Sequence, residues 1–161
     1  MKKKSTDKVE PKFHPGDWIT DGQLTCKVLR VTNKSYELHL CNDDYCHFET
    51  DVQSVDKYYH LWTIKDAKDG DVLSFYIEHK GNKMVQTGII EKYIGKHGGC
   101  SNTFKVYVGV NWENNFQIGE YMGCSDIRPS TKEQYDTLFA RIKGAGYRWD
   151  SEKKELWHKY L

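Results

Sequence analysis

The sequence predicts an α+β fold that is mostly β: small SH3-like barrel or sheet segments with a C-terminal helix and β-hairpin. Three observations carry this expectation. Aromatic residues make up 14% of the 161-residue chain, with 11 Tyr and 5 Trp, and such side chains suit pleated strands. Short runs alternate apolar and polar residues, Tyr36, Leu38 and Leu40 against Glu37, His39 and Cys41 being the plainest, as a half-buried strand requires. Helical spacing is clearest only near the end, where Tyr135, Leu138, Phe139 and Ile142 fall at i, i+3, i+4 and i+7.

Taken in order, residues 1–12 are polar and lysine-rich and read as a disordered basic tail. Residues 13–62 read as a small β-barrel-like segment. Pro15-Gly16 makes a turn into Trp18-Ile19, and Asp21-Gly22 signals a hairpin. Strands follow around Cys26 and Val28, from Tyr36 to Leu40, and from Tyr45 to Glu49, separated by turns at Asn33-Lys34 and Asn42-Asp43-Asp44.

The stretch His60 to Leu73, HLWTIKDAKDGDVL, organises the rest. Leu61 and Trp62 are expected to be buried. Thr63 to Lys68 reads as one helical turn, with Thr63 as N-cap and Asp66 favoured at its positive end. Asp69-Gly70 supplies a turn into a strand at Asp71 to Leu73. A boundary is therefore placed close to Trp62, and 63–128 forms a second β-rich segment. Its strands are expected at Val72 to His79, Val85 to Ile94 and Thr103 to Trp112, with Phe104, Val106, Val108 and Val110 on one face. Gly95 to Asn102 reads as a flexible loop. Gly-Asp followed by two apolar residues opens both β segments, at Gly16 and at Gly70. Tandem duplication and chance both account for so short a match.

Residues 129–161 read as a helix plus hairpin packed on the β body. Ser130 with Glu133 three residues on is the expected capping box, and Gly144 and Gly146 end the helix. Tyr147-Arg148-Trp149 and Glu155-Leu156-Trp157 then flank a turn, with Trp149 and Trp157 pairing across it or covering an edge.

Three pieces of the chain, KFHPGDWI at Lys12 to Ile19, HLWTIKDAKDGDVL at His60 to Leu73, and RPSTKEQYDTLFARIKGAGYRWDSEKKEL at Arg128 to Leu156, resemble a family of uncharacterised proteins of gut Bacteroidetes, their prophages and mobile elements. The resemblance covers most of the chain except roughly Ser74 to Ile127. It implies a phage or mobile-element source and transfers no activity and no functional residue.

Charge narrows the function classes. The net charge is +1. Residues 1–12 carry five Lys against Asp7 and Glu10, and residues 128–161 carry eight Lys/Arg against five Asp/Glu. The remaining body, with eleven against sixteen, is acidic, a poor surface for duplex phosphates. No apolar run approaches the roughly 20 residues of a membrane span, and no secretory h-region follows Lys2 to Lys4. A bacterial cytoplasmic location with reduced thiols is expected for the five Cys.

No catalytic set is legible and no cofactor is expected, so the expectation is a protein that is not an enzyme. Cys41, Cys46 and His47 form a weak zinc candidate, with His39 nearby and no second close pair. Cys100 beside His97 lacks an orienting group for nucleophilic chemistry. The leading expectation is an accessory protein that binds a host protein, such as a nucleoprotein defence complex. In its specific form it inhibits a host defence nuclease through Trp62, Asp69, Asp71, Asp43 and Asp44. The alternative is direct nucleic-acid binding by a basic, aromatic C-terminal module: Arg141, Lys143, Arg148, Trp149, Lys153, Lys154 and Trp157.

Overall fold

The computed structural model describes residues 10–40 and 47–159. It is α+β and mostly β, and the chain divides into two compact units, Met1–Asp66 and Ala67–Leu161. The division falls just beyond the short 3-10 turn Ile64–Asp66 that follows Trp62.

Among the described residues the first unit has one antiparallel sheet and one α-helix. Its strands are β1 (Trp18–Thr20), β2 (Thr25–Val31), β3 (Ser35–Leu40), β4 (His47–Asp51) and β5 (His60–Leu61), in the order β4-β3-β2-β1-β5. The expected barrel does not close, because β4 and β5 are opposite edges. The alternation in the sequence does set the buried face: Ile19, Cys26, Val28, Tyr36 and Leu38 form its core. Leu61 departs from expectation. It is 53% exposed, because β5 is an edge strand of two residues.

The helix α1 (Val52–Tyr58) was not legible as such. Asp51 caps it by accepting from the Ser54 N–H at 3.0 Å. Val52 and Val55, three apart, bury against the sheet. Seven residues give the periodic pattern too little length to declare itself.

The second unit holds β6 (Val72–His79), β7 (Asn82–His97), β8 (Cys100–Val110), β9 (Phe116–Ile118), β10 (Tyr121–Gly123) and β11 (Asp126–Pro129). Their order is β10-β8-β7-β6-β11, with β9 also on β8, and this sheet is open too. The expected loop from Gly95 to Asn102 is instead strand almost throughout. β7 and β8 run on to a tight turn at Gly98-Gly99, both at positive φ, where glycine carries no steric cost. The buried residues of β8 do not share one environment either. A register shift between Ile89 and Ile90 pairs Val108 with Ile89 and Val106 with Ile90, so consecutive residues of β7 both bury.

Helix α2 (Lys132–Gly144) lies on that sheet. Leu138 and Ile142 pack with Ile89, Val108 and Val110, while Tyr135 and Phe139 stack on each other at 4.3 Å. The capping box sits one residue later than expected. Thr131 accepts from the Gln134 N–H, and the Gln134 side chain accepts from the Thr131 N–H. Ser130 is buried and donates its N–H to Val72 instead, because β11 holds the chain through Pro129. The hairpin β12 (Tyr147–Asp150) and β13 (Glu155–His158) follows. Arg148 faces Trp157 and Trp149 faces Leu156, so the two Trp lie on opposite faces and do not pair.

Considered separately, the two units repeat one plan. In each, a run of antiparallel strands is followed by one that returns to pair with the first: β5 with β1, β11 with β6. Gly16 and Gly70 both have φ near the left-handed region, at 95° and 92°. Gly16 N–H donates to Val28 and Val28 N–H to Asp17; Gly70 N–H donates to Ile90 and Ile90 N–H to Asp71. The Asp17 carboxylate accepts from the His14 N–H at 2.9 Å, and the Asp71 carboxylate from the Lys68 N–H at 2.8 Å. The hydroxyls of Thr20 and Thr25 meet at 3.3 Å, as do those of Ser74 and Thr87. Trp62 N–H reaches Trp18 as Ser130 N–H reaches Val72. Each returning strand then enters a helical turn capped by Thr63 or Thr131. The two units thus match in six hydrogen-bond features around the four-residue motif.

Candidate functional site

Two surfaces of the second unit have the make-up of a binding site. The first is a cleft of about 310 Å³ between α2 and the turn that follows β8. β8 ends at Val110 because Asn111 folds back: its side-chain oxygen accepts from the Glu113 and Asn115 N–H groups at 3.0 and 2.9 Å. That turn places Trp112 beside His79, with ring centroids 5.9 Å apart, and leaves Trp112 42% exposed. Val85, Thr87 and Leu138 line the apolar part of the cleft, and Glu133 and Thr137 come from the first turns of α2. Gln134 also lines it, but its carbonyl accepts from Ser74 Oγ and its amide donates to Tyr76 Oη.

The second surface is the outer face of the β12–β13 hairpin. Trp157 is 42% exposed, Arg148 stands opposite it, and Lys153 Nζ lies 5.6 Å from the ring centroid of Trp157. Asp150 and Glu155, paired across the strands, share the parity of Arg148 and Trp157. The Asp150 carboxyl is held below its ordinary range by the Lys153 and Glu152 N–H groups and the nearby cations Lys153 and Arg148. Arg148 and Lys153 thus flank one exposed indole, on a face that also carries Asp150 and Glu155.

Comparison with protein-family models, with curated proteins and with solved structures finds no match.

The residues singled out in the sequence separate on this geometry. Trp149 turns inward onto Tyr107, with ring centroids 4.9 Å apart. Arg141 donates to the carbonyl and side-chain oxygens of Asn114 at 3.0 and 2.7 Å. Lys143 is exposed in the last turn of α2. Lys154, at positive φ, donates to the Ser151 carbonyl and lays its chain over Gly70. Of this set, Arg148, Lys153 and Trp157 are brought together.

The acidic candidates are spent within their own units. Asp69 accepts from Tyr107 Oη at 2.8 Å, and Asp71 closes the turn by accepting from Lys68 N–H. Trp62 is half-buried. Asp43 and Asp44 lie outside the described residues, as do Cys41 and Cys46 of the zinc candidate. His47 stacks edge-on against His39 with centroids 4.7 Å apart. Among the described residues no three His, Cys, Asp or Glu are grouped to hold a metal ion. Cys100 donates to the Gly123 carbonyl, and burial pushes the Cys124 thiol up.

Asp71 gives an expected pH effect. Burial raises its carboxyl above the ordinary value, against the opposing Lys68 N–H and the cations Lys68 and Lys154. A raised folded pKa makes its contribution favourable while the group is protonated, and that contribution is lost as pH rises through the folded value. At neutral pH the ionised carboxylate is therefore a cost. Asp71→Asn keeps an oxygen for the Lys68 N–H, so thermal unfolding should show the variant as stable as the parent or more so at pH 7. The difference should shrink as pH falls through the raised folded value and the parent carboxyl becomes neutral. A variant that melts lower at pH 7 would mean that attraction to Lys154 outweighs the burial cost.

Trp112 and its cleft were missed. The sequence signal was available: an aromatic residue followed at once by Glu113-Asn114-Asn115, a turn that interrupts the strand. Reading Trp112 as the last strand residue hid it.

Proposed function

We propose that this chain is a non-enzymatic accessory protein of a phage or mobile element, and that it binds a host protein through the outer face of its C-terminal hairpin. Trp157 carries the reading: a half-exposed indole on a face that mixes the cations Arg148 and Lys153 with the anions Asp150 and Glu155. An aromatic anchor with a polar rim is the anatomy of a protein interface. A surface for a nucleic-acid strand needs an excess of cations to match its phosphates, and Trp149 and Lys154 are turned to other work. Inhibition of a host defence nuclease is the specific form of this proposal. Its charge-based route through Asp69 and Asp71 has less support, since both carboxylates already serve internal bonds.

The test is recovery of tagged protein from the host, with and without nuclease treatment, for the parent and for Trp157→Ala. A stoichiometric host protein that survives nuclease and is lost at least about tenfold in the variant is the expected result, since a central Trp is worth 2 kcal/mol or more (about 30-fold) in many interfaces. Recovery of nucleic acid, with protein partners vanishing after nuclease, would replace this reading by the nucleic-acid one. A partner retained equally by Trp157→Ala would move the interface elsewhere.

A further inference from the structure

The cleft beside Trp112 carries a second assignment, independent of the hairpin. The Asn111 side-chain oxygen accepts from both the Glu113 and Asn115 N–H groups, and that of Asn114 accepts from Arg141. Both side chains therefore keep N–H donors for an incoming ligand, and Asn114 keeps one acceptor lone pair as well. Glu133, exposed on α2, presents only acceptors when ionised. The Thr137 hydroxyl can do either. The Trp112 indole supplies a flat apolar plate.

We propose that this cleft binds a neutral sugar ring. A sugar hydroxyl both donates and accepts, so one ring can satisfy the Asn111 and Asn114 amides and the Glu133 carboxylate together. Its C–H face is apolar and packs on an indole through dispersion and the negative ring face. An anionic ligand would meet the Glu133 carboxylate. A ligand that is only a cation would use Glu133 and Trp112 and leave both amide donors unmatched. The volume of about 310 Å³ is at the low end of ligand sites, right for one ring with part of a second.

The test uses the full-length chain. Methyl glycosides of glucose, galactose, mannose and N-acetylglucosamine are titrated one at a time while the Trp112 indole N–H is followed by NMR. N-acetylarginine amide serves as the cationic comparison. At least one glycoside should shift that signal saturably. In Trp112→Phe its affinity, followed through backbone amides of the Asn111–Asn115 turn, should stay within a few-fold. In Trp112→Ala it should fall at least about tenfold, and Glu133→Gln should weaken it too. Both positions are exposed at the surface, and backbone amide spectra report whether each variant stays folded. Failure of all four glycosides, undiminished binding in Trp112→Ala, or a shift only with the arginine amide would overturn the assignment.

Discussion

Leu138→Ala should lower the stability of the second unit by about 2–5 kcal/mol. Leu138 is 1% exposed and lies between α2 and the sheet residues Ile89, Val108 and Val110. Truncation removes the transfer energy of the lost methyl groups and leaves a void that β7 and β8, paired along most of β8, are poorly able to fill. α2 has few other apolar anchors: of its thirteen residues only Leu138 and Ile142 are buried. The midpoint of urea unfolding should fall with little change in slope. Amide exchange should lose protection chiefly in α2 and the β7–β8 ladder, with the core around Tyr36 unaffected. Leu138 also lines the Trp112 cleft, so the variant should weaken glycoside binding without altering any polar contact there. A loss below about 1 kcal/mol would mean that α2 settles onto the sheet after truncation.

What the sequence made legible follows from the range of the forces involved. Strand alternation at Tyr36-Leu38-Leu40 and the α2 stripe are local patterns; Tyr36 and Leu38 bury fully in the one and Leu138 and Ile142 in the other. The capping box slipped by one residue because Ser130 is locally at least as good a cap as Thr131. The choice was made by the pairing of β11 with β6, a contact between residues fifty or more positions apart. Barrel closure failed as an expectation for the same reason, since nothing local decides whether edge strands meet. The candidate charges show a further limit. Lys153 and Lys154 are neighbours of like chemistry, yet one lies on Trp157 and the other over Gly70; the positive φ at Lys154 turns the chain between them. Composition identified a basic, aromatic module, and only the hairpin register shows which of its residues share a face.

The first unit offers the other large effect. Tyr36 is fully buried, and its hydroxyl donates to Asp56 Oδ1 at 2.6 Å while accepting from the Phe13 N–H at 3.0 Å. One phenol thus ties the entering chain, β3 and α1 together. Tyr36→Phe keeps the ring but leaves the buried Phe13 N–H without that acceptor, a loss of about 1–3 kcal/mol at pH 7. Burial, followed by the bond to Asp56, pushes the phenol up to about 12 from 10.0. A raised folded pKa gives stability that is fully present below the unfolded value of 10.0 and is lost as pH rises through about 12. The gap between parent and variant should therefore be constant from neutral pH to about 9 and should close across the range between those two values. Tyr59 and Tyr107 are raised to about 12 as well, so the parent alone cannot isolate Tyr36; the difference between the two proteins does. Urea midpoints at pH 7 and at pH 11 decide it. A gap that persists unchanged at the higher pH would mean that lost packing around the ring, and not the hydroxyl's two bonds, sets the cost.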